Sequence, residues 1–261
     1  MPKKITREFL DGLYRKYNRR EYVHPDPLEF LYNYAELKDR EVVGLVASSL
    51  AYGRVAQILK SVTIVLKKMG RSPYAYLMKR PPREIEGDFR NFKHRFTTGG
   101  DKSSLLIGLK RIIEEYGSVY SCFTAGFSPK DETLMPALSK FVAAVAKGAD
   151  VKALNVLPPP EKGSACKRLN LYLRWMIRSD EVDPGGWAEI PKEKLIVPLD
   201  THMFKIGKNF GWTKRAQANL KTAVELTNGF KRLNPADPVK YDFTLTRFGI
   251  RNDLTCPSQL C

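Results

Sequence analysis

Two residues in this sequence have the type and the setting to do chemistry: one carboxylate and one amine. Asp200 stands in IVPLDTHMFKIGKNFGW, residues 196–212, where a short apolar run broken by Pro198 gives way to an amphipathic helix pattern. An aspartate directly before a helix is a favoured N-cap. A carboxylate fixed in that way is also preorganised to stabilise positive charge that develops on a bound molecule. Capping and chemistry are therefore compatible. Lys167 stands in GSACKR at the start of another helix pattern, with Arg168 beside it and Ser164 as the expected N-cap. A helix start presents backbone N–H groups, and with two cations next to them this segment suits a phosphate. The plain alternative is a helical hairpin with basic residues on its wet face.

The elements that must position these residues are helices. LEFLYNYAELKDREVVGLVASSLAYGRVAQILKSVTIVLKKMG carries apolar residues at three- and four-residue spacing, punctuated by Gly53 and Gly70. SSLLIGLKRIIEEYG, LMPALSKFVAAVAKG, ACKRLNLYLRWMIRS and AQANLKTAVELTNGF continue the pattern, the first two ending at Gly117 and Gly148. Strand-like alternation is scarce. Two breaks stand out, LPPPEKG at 157–163 and DPGGWAEIPKEKLIVP at 183–198. The expected fold is all-α.

Composition narrows the partner. The chain has 261 residues, 43% of them hydrophobic, enough to bury a core. Lys and Arg total 44 against 28 acids, a net charge of +16. That excess points to a polyanion, nucleic acid first, although a solvated basic surface is the plain reading of the same charge. No apolar run approaches the roughly 20 residues that span a bilayer. MPKKITREFLDGLYRKYNRREY lacks the apolar centre of a signal peptide, so the expected location is cytoplasmic with no membrane partner. The four cysteines, Cys122, Cys166, Cys256 and Cys261, are then expected to be reduced. Only two of them share the tail TCPSQLC, too few for a closely spaced metal site.

Taken together, the two breaks carry a resemblance. GSACK, then DPGGW and VP, then LDTH, resembles the helix-hairpin-helix, Gly/Pro-rich-loop-and-Asp superfamily of DNA base-excision glycosylases. GSACK, residues 163–167, lies over the superfamily's Gly-hydrophobic-Gly-x-Lys hairpin, with Ser164 at the hydrophobic position and Ala165 at the second glycine. VPLDTH is similar to its Asp signature. By the resemblance, Lys167 falls on the lysine nucleophile of the bifunctional members and Asp200 on the catalytic aspartate. The 33 residues from Lys167 to Asp200 are a long spacing, similar to the archaeal branch of 8-oxoguanine glycosylases. The likeness extends more weakly over 40–70, where REVVGLVASSLAYGR looks like an early helix and turn that approach DNA. The whole chain also looks like a widespread microbial family that carries only an unknown-function label.

The resemblance implies two helical lobes with a DNA-binding cleft. One would span 40–178 and end with the hairpin; the other would join 1–39 to 179–261 and carry Asp200. It implies double-stranded DNA with a damaged base as partner, an oxidised purine such as 8-oxoguanine in particular, and a monomeric enzyme. No cofactor is required, no iron–sulfur cluster is expected, and a monovalent cation at the hairpin is the one ion it admits. Cutting a base from its sugar builds positive charge on the deoxyribose, which a carboxylate such as Asp200 would stabilise. A neutral Lys167 would attack the anomeric carbon and form a Schiff base. Lys162 is the second candidate nucleophile. Gly163, Ser164, Ala165 and Arg168 would contact the backbone, as would His202. Tyr52 and Arg54 are candidates to fill the gap left by an extruded base, and Trp175 and Trp187 to wall its pocket, with core packing as the plain reading of both tryptophans. FRNFKHRFTTGG, residues 89–100, mixes aromatic and basic residues as backbone and single-strand binders do. The competing reading is a non-catalytic helix-hairpin-helix protein that binds DNA or RNA.

Overall fold

A computed structural model describes residues 5–148 and 157–260. The fold is all-α; among the described residues the one sheet is a two-stranded hairpin. The chain divides into two compact units, one from Asp26 to Lys162 and the other combining residues up to Pro25 with those from Gly163 onward. These boundaries differ from the expected 40 and 178. Residues 27–33, a 3-10 segment, pack on the helix that follows them and join the middle unit. The lysine-bearing helix joins the other unit because its arginines pair with acids there.

In the middle unit, α2 (Leu37–Ser49) is buried on almost every face, not along one stripe, and α3 spans Val55–Met69. α4 (Pro73–Lys79) is capped by Ser72, whose hydroxyl and the Tyr74 N–H both donate to buried Asp39. α5 (Pro82–Phe89), the strands β1 (Lys93–His94) and β2 (Thr97–Thr98), α6 (Gly99–Tyr116), α7 (Val119–Ala125) and α8 (Met135–Ala146) follow. α6 starts at Gly99, earlier than its apolar pattern, because Thr98 and Asp101 form a reciprocal capping box. Glu41, 2% exposed, accepts the N–H groups of Val119 and Tyr120 and so satisfies the start of α7. The segment 149–156 lies outside the described residues, so the helix expected before the hairpin ends, as described, with α8.

The other unit contains α1 (Arg7–Tyr17), α9 (Lys167–Ile177), α10 (Thr201–Asn209), α11 (Leu220–Leu233) and α12 (Asp242–Ile250). α12 packs against α1 and α10. The DPGGW break folds back on the end of α9. The Gly185 N–H donates to Trp175 O at 3.0 Å and the Trp187 N–H to Met176 O at 2.8 Å, which satisfies two of the helix's terminal carbonyls. Gly185, at φ +66°, sits where a side chain would strike Ser179. The tail corrects one expectation. Cys256 is disulfide-bonded, while Cys122 and Cys166 are free and buried. A turn from Pro257 to Leu260 folds the tail back, and Asn209 holds the Leu260 carbonyl.

Candidate functional site

Lys167 is the first residue of α9 and is half-buried. The turn before it differs from expectation. Cys166 occupies the cap position with φ +46°, and Ser164 accepts the Cys166 N–H on its hydroxyl at 3.2 Å instead of capping the helix. Gly163 is also left-handed, at φ +75°, and a residue with a side chain would be strained there. The Gly163 carbonyl accepts from Leu220 at 3.0 Å and the Ala165 carbonyl from the Asn170 amide at 3.0 Å. Two hairpin carbonyls are thus taken by the protein, a poor fit to a cation cradle. Arg168 is half-buried beside Lys167, and Lys162 is exposed in the 3-10 turn Pro160–Lys162 of the middle unit.

Asp200 caps α10, accepting the Met203 N–H at 2.7 Å, and is half-buried. His202 lies over α12: a methyl group added to Gly249 would come within 2.0 Å of its Nδ1. That close approach makes His202 part of the α10–α12 packing.

α9 and α12 are joined by a network whose arginines the sequence alone did not single out, although Asp242 in KYDF reads there as a capping or structural acid that could sit near the site. Arg174 follows Lys167 by seven residues, so the two share a face of α9 two turns apart. Its guanidinium bonds Asp183, with Nε at 3.1 Å, and also Asp242, the first residue of α12. Arg178 bonds Asp183, Asp180 and Asp237. Tyr14 of α1 donates to Asp180 at 2.9 Å. Beyond Arg178 a cavity of about 250 Å³ is lined by Tyr14, Asp180, Lys192, Asp237 and Lys240.

Two guanidiniums thus face four carboxylates. Burial opposes charge on Arg178, and Asp183, Asp237 and Asp180 outweigh that, holding it well above its ordinary value. Asp183 is pushed up by burial, with both guanidiniums opposing. Asp242 is pushed towards its protonated form as well. Burial raises it to about 6; Arg174 opposes, and the nearby charge of Asp200 adds to the rise. One of its oxygens, Oδ1, makes no hydrogen bond. A buried carboxylate with one unpartnered oxygen is costly unless protonated.

Asp242 therefore lends the fold stability that falls as pH rises. Its value moves from 3.8 unfolded to about 6 folded, so the native state binds the extra proton between those values. The contribution is complete below about 4 and lost by about 6. Asp242→Asn cannot ionise. Its urea midpoint relative to the unsubstituted protein should rise between pH 4 and 6, the window set by that shift. A constant difference across the window would mean that Arg174 keeps Asp242 charged throughout.

Four other candidates fall elsewhere. Trp175 and Trp187 are 0% exposed, the latter edge-on to Tyr172 at 5.4 Å, so neither offers a face to a base. They are core, because their large apolar area is worth most when fully buried. Tyr52, in the middle unit, is held by its hydroxyl, which lies 2.8 Å from the His94 carbonyl and 2.7 Å from Thr97 Oγ1. A ring tied down in this way is a fixture, not a side chain that enters DNA. Arg54 is exposed before α3.

The fold and site define an all-α protein in which a lysine and an aspartate open two helices of one unit, with a buried Arg–Asp network that joins the lysine's helix to α12. The chain belongs to the family described as a protein of unknown function, DUF2400, whose pattern matches residues 26–251. No curated protein and no solved structure matches it.

Proposed function

We propose that the protein is a DNA base-excision glycosylase with lyase activity, acting on an oxidised purine such as 8-oxoguanine. The observation that carries this reading is the buried Arg174–Asp242 pair. It joins the helix opened by Lys167 to an acid within electrostatic reach of Asp200. The Lys167 nitrogen attacks the sugar's anomeric carbon. The base leaves with the electron pair of the glycosidic bond and takes up a proton. Asp200 faces the positive charge that builds on the sugar as that bond stretches. Ring opening gives an imine between Lys167 and the sugar, and loss of the 2′ proton then expels the 3′ phosphate by β-elimination. The net charge of +16 and the absence, among the described residues, of any helix long and apolar enough to cross a membrane suit a nucleic-acid substrate.

Borohydride trapping tests the reading. Duplexes carrying 8-oxoguanine, uracil, thymine glycol or an abasic site are incubated with the protein and reduced. The expected result is a covalent adduct that Lys167→Ala abolishes, with the lesion named by the duplex that traps. An adduct that survives in Lys167→Ala and disappears in Lys162→Ala would move the nucleophile to Lys162. No adduct on any duplex, the abasic one included, would end the catalytic reading. The second reading, a DNA- or RNA-binding protein without catalysis, rests on the charge alone. It predicts binding that falls modestly in Lys167→Ala, with no chemistry to lose.

A further inference from the structure

The segment FRNFKHRFTTGG does not belong to the site above. It forms the β1–β2 hairpin of the middle unit, with Lys93 opposite Thr98, His94 opposite Thr97, and only Arg95 and Phe96 in the loop. Phe96 is 79% exposed, the most exposed large hydrophobic side chain among the described residues, ahead of Ile64 at 50%. Leaving a phenylalanine ring in water forgoes roughly 1.5–3 kcal/mol of burial. Arg95 has φ +52°, a left-handed conformation that costs a residue other than glycine about 1–3 kcal/mol. Both costs fall on adjacent residues, and neither is needed to close the turn, since glycine or asparagine would close it without strain.

The base of the hairpin is rigid. His94 is fully buried, with Nδ1 2.9 Å from Ser61 Oγ and Nε2 3.1 Å from the Tyr52 carbonyl. The Tyr52 hydroxyl also accepts the Thr97 N–H at 3.1 Å, and Thr98 caps α6. The Arg95 side chain lies over Gly53, where a methyl group would come within 2.7 Å of its Cδ. Its guanidinium stands 5.7 Å from the Phe96 ring centre and 6.0 Å from that of Tyr52. Arg90 and Lys93 are exposed nearby in sequence, Arg54 is exposed next to the Gly53 that Arg95 covers, and residues 89–100 contain no acid.

We propose that this tip is a base-stacking contact for unpaired nucleic acid: the Phe96 ring stacks on a nucleobase while Arg95, Lys93 and Arg54 take the flanking phosphates. A single aromatic ring on a stiff, two-residue, cationic loop matches what single-strand binders present to each base. A rigid mount also spares the ordering cost of binding. Binding in the plane of an anionic membrane takes a broad apolar face set against a basic one, which a lone phenylalanine does not make. The inference rests on the nucleic-acid part of the reading above and is independent of the lysine chemistry.

The test is fluorescence anisotropy at fixed, stated salt. It uses a labelled 20-nucleotide oligothymidine and a strand of equal length built of abasic tetrahydrofuran units, so that charge is matched and only bases differ. The protein should prefer the strand with bases. Phe96→Ala should remove that preference, weakening oligothymidine binding about 5- to 150-fold while leaving binding to the abasic strand unchanged. Phe96→Trp should keep it. The slope of affinity against salt should be unaltered in Phe96→Ala and reduced in Arg54→Ala and Lys93→Ala. Melting temperature checks that Phe96→Ala folds. Equal binding of both strands by the unsubstituted protein, or a base preference that survives Phe96→Ala, overturns the proposal. No binding to either strand overturns it and the nucleic-acid reading together, whereas failed trapping with the base preference intact overturns only the catalysis. Phe96-dependent sedimentation with anionic phospholipid vesicles, without base preference, would assign the tip to lipid instead.

Discussion

Asp200→Asn is expected to leave the fold standing and to slow base release by about 10²- to 10³-fold, the usual loss when one preorganised electrostatic group is removed from a transition state. Asparagine caps a helix about as well as aspartate, so the Met203 N–H keeps its acceptor and the melting temperature should barely move. Asp200→Ala loses the cap as well, at a cost of about 0.5–2 kcal/mol. The pair of variants therefore separates capping by this carboxylate from its proposed role in base release. Trapping on a duplex that is already abasic makes a second separation. No base has to leave there, so the Lys167 adduct should survive Asp200→Asn while single-turnover excision from the intact lesion falls. Unimpaired excision in Asp200→Asn would reduce Asp200 to a helix cap.

The helices were legible because each has a face to bury and an end to mark. Gly117 closes α6 at φ +87°, as its place after the last apolar residue implies. The start of α6 was also written in the sequence, in the Thr98–Asp101 spacing, but as a cap, not as apolar periodicity. α2 reads as amphipathic and is buried nearly all round, because periodicity does not report how many neighbours surround a helix. Asp200 as a cap could be read from its neighbours alone.

What could not be read depends on distant partners. The left-handed Cys166 has no local signal; glycine is the usual sign of that conformation, and it stands three residues earlier. Arg174 looks like one more basic residue on a helix whose neighbours Lys167 and Arg168 suggest a wet face. Its partner Asp242 is 68 residues away, and nothing in KYDF distinguishes a buried ion from a surface one. One clue is local: Arg174 and Arg178 are spaced by one turn, so they share one side of a helix that is otherwise largely apolar. The hairpin shows the same limit. Its mixture of aromatic and basic residues was visible, but which aromatic faces water was not. Phe89, at the end of α5, and Phe92 are buried, whereas Phe96 sits in the two-residue turn after β1 and is not.

Arg174→Met should cost about 3–5 kcal/mol of folding stability. The side chain is 3% exposed. Methionine fills much of the same volume, so the cost is electrical. Asp183 keeps Arg178, but Asp242 loses its one cationic partner while Asp200 still bears on it. Asp242 would then be driven further towards its neutral form. The penalty should thus shrink on acidification through the region around its present value of about 6. Adding Asp242→Asn to Arg174→Met should recover part of the loss, since no unpaired carboxylate remains; the two changes share one contact and are not additive. Urea unfolding of the four proteins, below and above the Asp242 value of about 6, measures that coupling. A double variant less stable than Arg174→Met at both pH values would show that Asp242 is needed for the shape of the α9–α12 contact, not for its charge. If the coupling appears as expected, the proton on Asp242 and the charge on Arg174 are held in balance by the same burial. Any change that opens this network to water would then shift the field at Asp200 without touching it.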